Sequence, residues 1–502
     1  MPRKNRDPLF RLIKTLTKPE KRHFRLYANR TMGNQERKFM VLFDLLDKQD
    51  AYDEKQVLKK LPGNTTKARL SNLKRHLFKQ LMTSLRLTYI NKQIDIEIRE
   101  QLDFSRILYS KGLYMESLRL LERIKQIAID HHQDILHLEI IEFQKLIESR
   151  HITRSRQVEK KMERLLEEST LRSRITQTAS EMINLNIQIH GYYIVHGFAT
   201  TPEEVQALNK AWRNMQPEHF NNRFADTFFE KTNRFQSYLW YRYIQLDFKG
   251  ALSHAMEWVM LFQVHKSMQL KDPDLYMRSL YYLLVFLYLM DDSASYRRYL
   301  KELETYVADH YDQLNRNSQH VCFVYLYLSR FNHYFLKQDY KAAYQFIPRV
   351  LKQLDHHSIL MDDHRILLFH YKCAAAAFGH GAYEEAMEHL HPILHQGDKP
   401  LRKDMEINAR LLELLCLFET QALDRMSYRL ISFGRSVVKS KAVTPLQLQA
   451  HKMLRALLQV VPSDMPAFFR KQLKIFRAGL KQPREQLFLK YLNWVEWLEG
   501  KG

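Results

Sequence analysis

Glycine and proline are both scarce in this sequence. The 502 residues include 13 glycines and 14 prolines, whereas average proteins contain about 7% glycine and about 5% proline. Tight turns and glycine-rich loops must therefore be rare, and long helices joined by short connections account for the shortage. The hydrophobic fraction of 45% is ample for a buried core, which excludes a largely disordered chain.

Cysteine and long apolar runs are also scarce. Cys322, Cys373 and Cys416 lie far apart, a spacing that fits neither a disulfide framework nor a zinc site. The most apolar window spans 16 residues, Leu275 to Met290, and includes Arg278, whereas a membrane-spanning helix needs about 20 apolar residues. No secretory signal pattern is visible at the N-terminus. We therefore predict a cytoplasmic protein without a membrane span.

Motifs of catalysis and cofactor binding are missing as well. The sequence contains no G-x-x-x-x-G-K-[ST], G-x-G-x-x-G, H-E-x-x-H or G-x-S-x-G pattern. Two histidine-rich segments raise the question of metal binding, one from His356 to His364 and one from His389 to His395. The second contains Pro392 and an i, i+2 pair that a helix would separate, so solvated or buried histidines are the better interpretation. We expect no enzyme activity and no cofactor.

Positive charge is concentrated at the N-terminal end. The whole chain has a formal net charge of +22. Residues 1–92 contain 23 basic against 8 acidic residues, or +15, and the remaining 410 residues contain 55 against 48, or +7. This division indicates a basic head, residues 1–92, that meets a polyanion, followed by a body of nearly balanced charge.

The last part of the head has the pattern of a short helix followed by a long basic one. A capping-box pattern at Asp53 predicts the short helix, and Pro62-Gly63-Asn64 predicts a tight turn. Thr65 or Thr66 is the expected cap of a helix from about Lys67 to Tyr89, in which a leucine stripe is buried and the basic residues are exposed.

This outline resembles a helix-turn-helix, and the resemblance implies DNA binding. RNA or another anion, and a solvated basic face without a ligand, are the alternatives. Charge reversal of Lys74, Arg75 and Lys79 is expected to weaken binding without unfolding the head, since none of them lies on the leucine stripe. The candidate nucleic-acid contacts are Lys18, Lys21, Arg22, Arg25, Lys67, Arg69, Lys74, Arg75, Lys79 and Arg86.

The body repeats one pattern about every 43 residues. Its clearest copy is FGHGAYEEAMEHLHPIL, Phe378 to Leu394, in which Tyr383, Ala386 and Leu390 share one helix face. We expect about nine helical hairpins over residues 93–481, stacked as an α-solenoid in an all-α fold. The first large residue of each second helix recurs at spacings of 43 to 48 residues, at Tyr114, Met162, Val205, Phe248, Tyr296, Tyr340, Tyr383, Met426 and Phe469.

Four of these corners, at Tyr114, Phe248, Tyr340 and Tyr383, have a small residue three positions on. They resemble the second helix of tetratricopeptide repeats, although the usual period of that family is about 34 residues, and a different α-solenoid family is therefore also open. The resemblance implies a right-handed superhelix whose concave wall receives a peptide, a helix or a protein surface. It implies no catalysis.

Aromatic and basic residues are mixed on the middle helices of the body. Tyrosine and arginine are favoured at interface hot spots, which suggests a partner-binding groove. The alternative is that the tyrosines fill the seams between repeats. Residues 482–502 are expected to form a terminal capping helix. The candidate groove residues are Arg234, Tyr238, Tyr241, Arg242, Arg278, Tyr281, Tyr282 and Arg330.

Together these features predict a non-enzymatic cytoplasmic adaptor or regulator. Its solenoid would bind a protein or peptide, and its basic head would bind DNA or RNA. The alternative is a protein scaffold whose head contacts an acidic protein or an anionic surface. A regulator in which the solenoid repositions a DNA-reading head is a third hypothesis, supported by analogy alone.

Overall fold

The computed structural model contains helices joined by short connections over the residues that it describes, which are 7–31, 37–63, 65–90, 93–155, 161–217, 227–357, 361–395, 403–437, 443–490 and 492–501. No strand occurs in these ranges, which confirms the predicted all-α class. Within the same ranges, no helix is both long and apolar enough to span a membrane.

Two compact units make up the described chain, and the boundary between them falls within a long helix. The first unit contains the described residues up to 181 together with 227 and 228, and the second contains the others. The helices of the first unit are α1 (Pro8–Thr15), α2 (Lys18–Thr31), α3 (Arg37–Lys48), α4 (Glu54–Lys60), α5 (Lys67–Tyr89), α6 (Ile94–Ser110), α7 (Tyr114–Asp130), α8 (Asp134–Ser155) and the first part of α9 (Lys161–His196).

The second unit contains the end of α9 and sixteen further helices of the described chain. They are α10 (Pro202–Met215), α11 (Phe228–Ile244), α12 (Phe248–Val264), α13 (Ser267–Lys271), α14 (Pro273–Leu289), α15 (Ser293–His310), α16 (Arg316–Leu336), α17 (Tyr340–His356), α18 (Asp363–His380), α19 (Tyr383–Leu394), α20 (Lys403–Glu419), α21 (Leu423–Val437), α22 (Pro445–Leu457), α23 (Met465–Gly479), α24 (Pro483–Leu489) and α25 (Trp494–Glu499).

The N-terminal helices enclose a hydrophobic core of their own. α5 packs against α2 and α3, and α1 packs against α3. Leu70, Leu77 and Leu81 of α5 are fully or almost fully buried in this core. The hydroxyl of Thr66 accepts a hydrogen bond from the backbone N–H of Arg69, so the predicted cap and the predicted extent of α5 are both observed. The leucine stripe therefore fixes which face of α5 is turned outward.

Helices of the second unit pack in an alternating order. α14, α16, α18, α20 and α22 contact one another in succession, and α15, α17, α19 and α21 each pack between two of them. Each hairpin thus contacts its neighbours in sequence, which is the packing expected of a helical repeat. This arrangement is compatible with the predicted solenoid.

Seven corners between consecutive helices of the described chain share one backbone conformation. The residue at the corner has a positive φ angle, and the next N–H donates to the carbonyl five residues earlier, as from Ala382 to Ala377 at 2.9 Å. This is the Schellman motif that ends many helices. Five of the corner residues are not glycine and therefore carry strain. The corner residues are Gly112, His132, Leu246, Asp291, Gln338, Gly381 and Gln421.

Small residues lie where the two helices of a hairpin come close together, as predicted. Ser117, Ala251, Ala343 and Ala386 are all fully buried. The hydroxyl of Ser117 donates to the backbone carbonyl of Ser105 on the preceding helix at 2.8 Å. A larger side chain at these positions would force the helices apart.

Gly379 of α18 provides a stability test of this close packing. A Cβ added there would lie 2.1 Å from Cδ1 of Tyr340, so we expect Gly379→Ala to lower the free energy of unfolding by about 1–3 kcal/mol. Helix propensity alone would predict a gain of about 1 kcal/mol. The matched control is Gly434→Ala in α21, where the nearest neighbouring atom is 3.5 Å away, on His451. Urea unfolding followed by circular dichroism should show opposite shifts, and equal shifts would contradict the packing argument.

The C-terminal segment, residues 483–490 and 492–501, forms two short helices in place of the single predicted helix. Its buried residues Phe488 and Trp494 pack against Phe476 of α23, with ring centroids 6.5 and 5.8 Å away. Other residues of the segment reach helices much earlier in the chain: the indole of Trp497 donates to Glu419 at 2.7 Å. The segment therefore does more than cover the last hairpin.

Two further polar contacts extend the reach of the C-terminal segment. The hydroxyl of Tyr340 donates to Glu496 at 3.1 Å, and Lys490 forms an ion pair with Asp291. Asp291 is a corner residue, and Tyr340 begins α17 directly after another corner. The segment thus connects corners of several hairpins that are far apart in the sequence.

Candidate nucleic-acid interface and partner surface

The basic charge of the head is concentrated in α4 and α5. From Glu54 to Asp95 the sequence has ten basic residues and no acidic residue in between. Seven of these cations are exposed and have no ion pair or hydrogen-bond partner among the described residues. These seven are Lys55, Lys59, Lys60, Lys67, Arg69, Arg75 and Lys79.

The outward face of α5 carries the basic residues of that helix. Arg75, Lys79 and Arg86 are spaced i, i+4 and i+11, so they share one face, opposite the buried leucines. Phe78 and Met82 are 43% and 45% exposed on the same side of the helix. A long helix with cations and apolar groups on its free face has the composition of a surface that contacts phosphates and bases.

Lys74 differs from its neighbours because its charge is already paired inside the head. Its ammonium group donates to Asp7 at 2.8 Å and to the hydroxyl of Tyr52, and Glu54 lies 3.8 Å away. Burial alone would lower the pKa of Lys74, but these hydrogen bonds outweigh burial and raise it. The leucine pattern groups Lys74 with the surface charges, whereas the structure gives it a role in joining α5 to the N-terminus of α1. We therefore leave it out of the proposed interface.

The other predicted contacts divide into paired and unpaired cations. Lys21 and Arg25 of α2 form ion pairs with Asp47 and Asp44 of α3, and Arg86 lies 3.5 Å from Asp103. Lys18 and Arg22 are exposed and make no such pair within the described residues. The acidic residues of the head thus compensate mainly α2, and leave Arg75 and Lys79 on the face of α5 uncompensated.

The connection between α4 and α5 departs from the helix-turn-helix outline. Residues 61–66 separate the two helices, with Gly63 at a φ of +80°, whereas the motif has a turn of about three to four residues. A Cβ added at Gly63 would lie 3.8 Å from Nζ of Lys38, so a further lysine lies beside the turn. The two helices and the turn therefore form a basic surface without the short turn of a helix-turn-helix.

The predicted groove residues of α11 lie mainly in contacts within the protein. Tyr241 stacks on Trp212 of α10 at a centroid distance of 4.5 Å and donates to Asn209 at 2.7 Å. Tyr238 lies between Trp212 and His254, with ring centroids 5.4 and 5.0 Å away. These two tyrosines occupy a seam between helices, the alternative that the sequence left open. They are poorly placed to contact a partner.

Ion pairs hold most of the predicted groove arginines. Arg234 lies 3.8 Å from Glu230, Arg242 lies 3.5 Å from Asp247, and Arg330 lies 2.9 Å from Glu304. Arg278 is exposed and donates from Nε to the hydroxyl of Tyr325 at 3.3 Å. Unlike the others, it forms no ion pair within the described residues.

Aromatic rings surround Arg278 on α14 and α16. Tyr281 stacks on Tyr325 with centroids 4.4 Å apart and planes at 16°. Tyr282 lies within 6.1 Å of Tyr281, Trp240 and Trp258, measured between ring centroids. Three of the predicted residues, Arg278, Tyr281 and Tyr282, are thus brought together, and Tyr325 completes the group.

Lys372 is a functional candidate that the sequence patterns miss. It lies half-buried on α18, donates to Asn332 at 2.8 Å, and has its ammonium group 5.3 Å from the ring centroid of Tyr288 and 5.1 Å from that of Phe335. Burial lowers the pKa of Lys372 to about 7, and the positive charge of Lys490 acts in the same direction. The sequence feature that could have indicated Lys372 is its position as a single lysine shortly before four alanines in a mainly apolar part of α18.

The histidine-rich segments show no metal-ligand arrangement in the described ranges, where no three His, Cys, Asp or Glu side chains are placed to hold an ion. His357 is buried, and burial lowers its pKa to about 4. His389 is also buried, and its pKa is lowered for the same reason. Buried histidines of this kind pack as neutral rings.

Comparison of the chain with family models found no match, and comparisons with curated proteins and with solved structures found none either.

Proposed function

We propose that this protein is a non-enzymatic cytoplasmic adaptor whose head binds nucleic acid and whose helical repeats bind a protein partner. The observation that carries the first part is the run from Glu54 to Asp95, with ten basic residues and no acidic one. Electrostatic attraction to phosphates supplies most of the affinity in sequence-independent nucleic-acid binding. The seven unpaired cations of this run provide that attraction.

The distribution of charge in the head favours a nucleic-acid ligand over a basic face that only contacts solvent. Its acidic residues pair with α2 and with Lys74, so Arg75 and Lys79 on the free face of α5 keep their charge, whereas Arg86 lies near Asp103. Concentrating like charges on one helix is electrostatically unfavourable unless a polyanion offsets the repulsion. The helical repeats supply the second part of the proposal, because an exposed arginine among tyrosine rings is typical of protein interfaces.

Charge reversal on α5 tests the nucleic-acid part. We expect the double variant Arg75→Glu, Lys79→Glu to bind labelled duplex DNA or structured RNA at least about tenfold more weakly than the unmodified full-length chain, because two phosphate contacts are lost. Both side chains are exposed and lie off the leucine stripe, so helix content should not change. Fluorescence anisotropy gives the affinity, and circular dichroism checks the fold.

The matched control makes the same charge change elsewhere. Lys301 and Lys352 are exposed on α15 and α17 of the second unit, and the double variant Lys301→Glu, Lys352→Glu should bind nucleic acid as the unmodified chain does. Equal losses in both variants would show that only net charge matters. If the unmodified chain binds neither DNA nor RNA with micromolar affinity, the proposal is overturned. An acidic protein or an anionic surface would then be favoured as the ligand of the head.

A further inference from the structure

Two cations of the second unit, Arg278 of α14 and Lys372 of α18, are held by neutral side chains of α16. Arg278 donates to the hydroxyl of Tyr325, and Lys372 donates to the side-chain carbonyl of Asn332. Neither forms an ion pair within the described part of the chain. Nearby cations do: Arg365 lies 3.3 Å from Asp362.

The two contacts on α16 lie on one side of that helix. Tyr325 and Asn332 are seven residues apart, which is two helical turns and about 10 Å along the axis. Arg278 and Lys372 approach them from the two helices that flank α16. Together these four residues and Tyr281, which stacks on Tyr325, make up what we call the α16 face. Arg278 is its exposed member, Lys372 and Tyr281 are half-buried, and Tyr325 and Asn332 are buried.

Neither Arg278 nor Lys372 of the α16 face has an acidic side chain within ion-pair distance in the described ranges; Asp272 acts on Arg278 only from further away, and Asp291 is paired with Lys490. A half-buried ammonium group costs free energy unless an opposite charge accompanies it, and a neutral hydrogen-bond partner offsets only part of that cost. Lys372 has a lowered pKa as a result, and Lys490 adds a second positive charge, centred 5.0 Å from the same Tyr288 ring. A ligand with negative charge would restore the balance.

We propose that the α16 face binds an extended acidic segment of a protein partner, with one carboxylate on Arg278 and another on Lys372. An extended chain advances about 3.3 Å per residue, so two acidic residues about three positions apart match the spacing on α16. The half-buried ring of Tyr281 provides contact area for the residues between them. This inference rests on the proposed partner-binding role of the repeats and adds the chemistry of the partner.

A synthetic peptide tests the assignment with the full-length chain. The probe is a fluorescein-labelled peptide that repeats Glu-Ser-Ala, and its comparison peptide has glutamine in place of glutamate. We expect the glutamine peptide, and the variants Arg278→Met and Lys372→Met with the glutamate peptide, each to bind roughly 10- to 100-fold more weakly, because a charge-assisted hydrogen bond is lost. Lys301→Met, an exposed lysine on α15, is the control and should bind normally.

The pH dependence of peptide binding tests whether Lys372 contacts a carboxylate of the glutamate peptide. The groups that face it are Tyr288 of α14, Asn332 and Phe335 of α16, and Lys490 with its partner Asp291. With a pKa of about 7, Lys372 is mostly charged at about pH 6 and mostly neutral at about pH 8. Affinity for the glutamate peptide should therefore fall about tenfold between these values. Lys372→Arg, which keeps its charge, should bind well at both.

The outcomes of the peptide experiments test this inference independently of whether the head binds nucleic acid. Equal binding of the two peptides, or no effect of Arg278→Met and Lys372→Met, would overturn it whether or not nucleic acid binds. Loss of peptide binding in Arg75→Glu, Lys79→Glu would also overturn it, because the head would then be the peptide site. Loss of peptide binding in the α16 variants alone supports it, even if the head binds no nucleic acid.

Discussion

Raising the salt concentration from about 50 to about 200 mM should weaken binding of nucleic acid by roughly 10³- to 10⁵-fold, if six to ten phosphates are contacted. Each lysine or arginine that neutralises a phosphate releases a counterion, and added salt opposes that release. The seven unpaired cations from Lys55 to Lys79 fall within this range of contacts. The affinity of the full-length chain, measured by anisotropy at several salt concentrations, gives the slope directly.

The slope also separates the interpretations of the head. The Arg75→Glu, Lys79→Glu variant should lose about two units of the slope of log affinity against log salt. Lys74→Met should instead lower the stability of the head, because Asp7 would lose its buried partner. A slope near one for the unmodified chain would mean that few phosphates are contacted, and would contradict the proposed surface.

Trp494→Ala should reduce the free energy of unfolding of the second unit by about 3–5 kcal/mol. The indole is 1% exposed, so its removal leaves a large cavity. It packs between Phe476 of α23 and Phe488 of α24, with centroids 5.8 and 5.4 Å away. Without it the C-terminal segment loses the largest buried side chain of its attachment to α23, and only the contacts of Phe488 with Phe476 and of Trp497 with Phe469 remain there.

An exposed aromatic residue provides the matched control for this prediction. Tyr428 of α21 is 71% exposed, and Tyr428→Ala should change stability by less than about 0.5 kcal/mol. Thermal and urea unfolding of both variants would be compared with the unmodified chain. If Trp494→Ala unfolds like the control, the C-terminal segment contributes little to the second unit, and the argument for its anchoring is wrong.

Sequence patterns predicted the helices well because the evidence for them is local. The leucine spacing of α5 and its threonine cap gave its two ends, and the small residues Ala343 and Ala386 marked close helix contacts. The corners were recognised only in part. Leu246 and Gln338 adopt the same left-handed conformation as Gly381, but no residue preference reveals this, since packing of the two helices imposes it.

Charge partners could not be predicted in the same way, because they depend on residues far apart in the chain. Lys74 and Arg75 are adjacent in sequence, yet one pairs with Asp7 and the other is exposed. The contacts of Tyr238 and Tyr241 depend likewise on Trp212. Composition located the basic surface, whereas only the fold shows which of its charges are already neutralised.

The C-terminal segment changes how the repeats of the second unit can move. A stack of hairpins that contact only their neighbours is flexible, because small rotations at each junction add up along the stack. Here Lys490 is tied to the corner at Asp291, and Trp497 is tied to Glu419 at the end of α20. These two contacts join the hairpin corner at Asp291 to the end of α20 through the C-terminal segment. Rotations at the junctions between these hairpins are therefore restrained, and the hairpins are expected to move together.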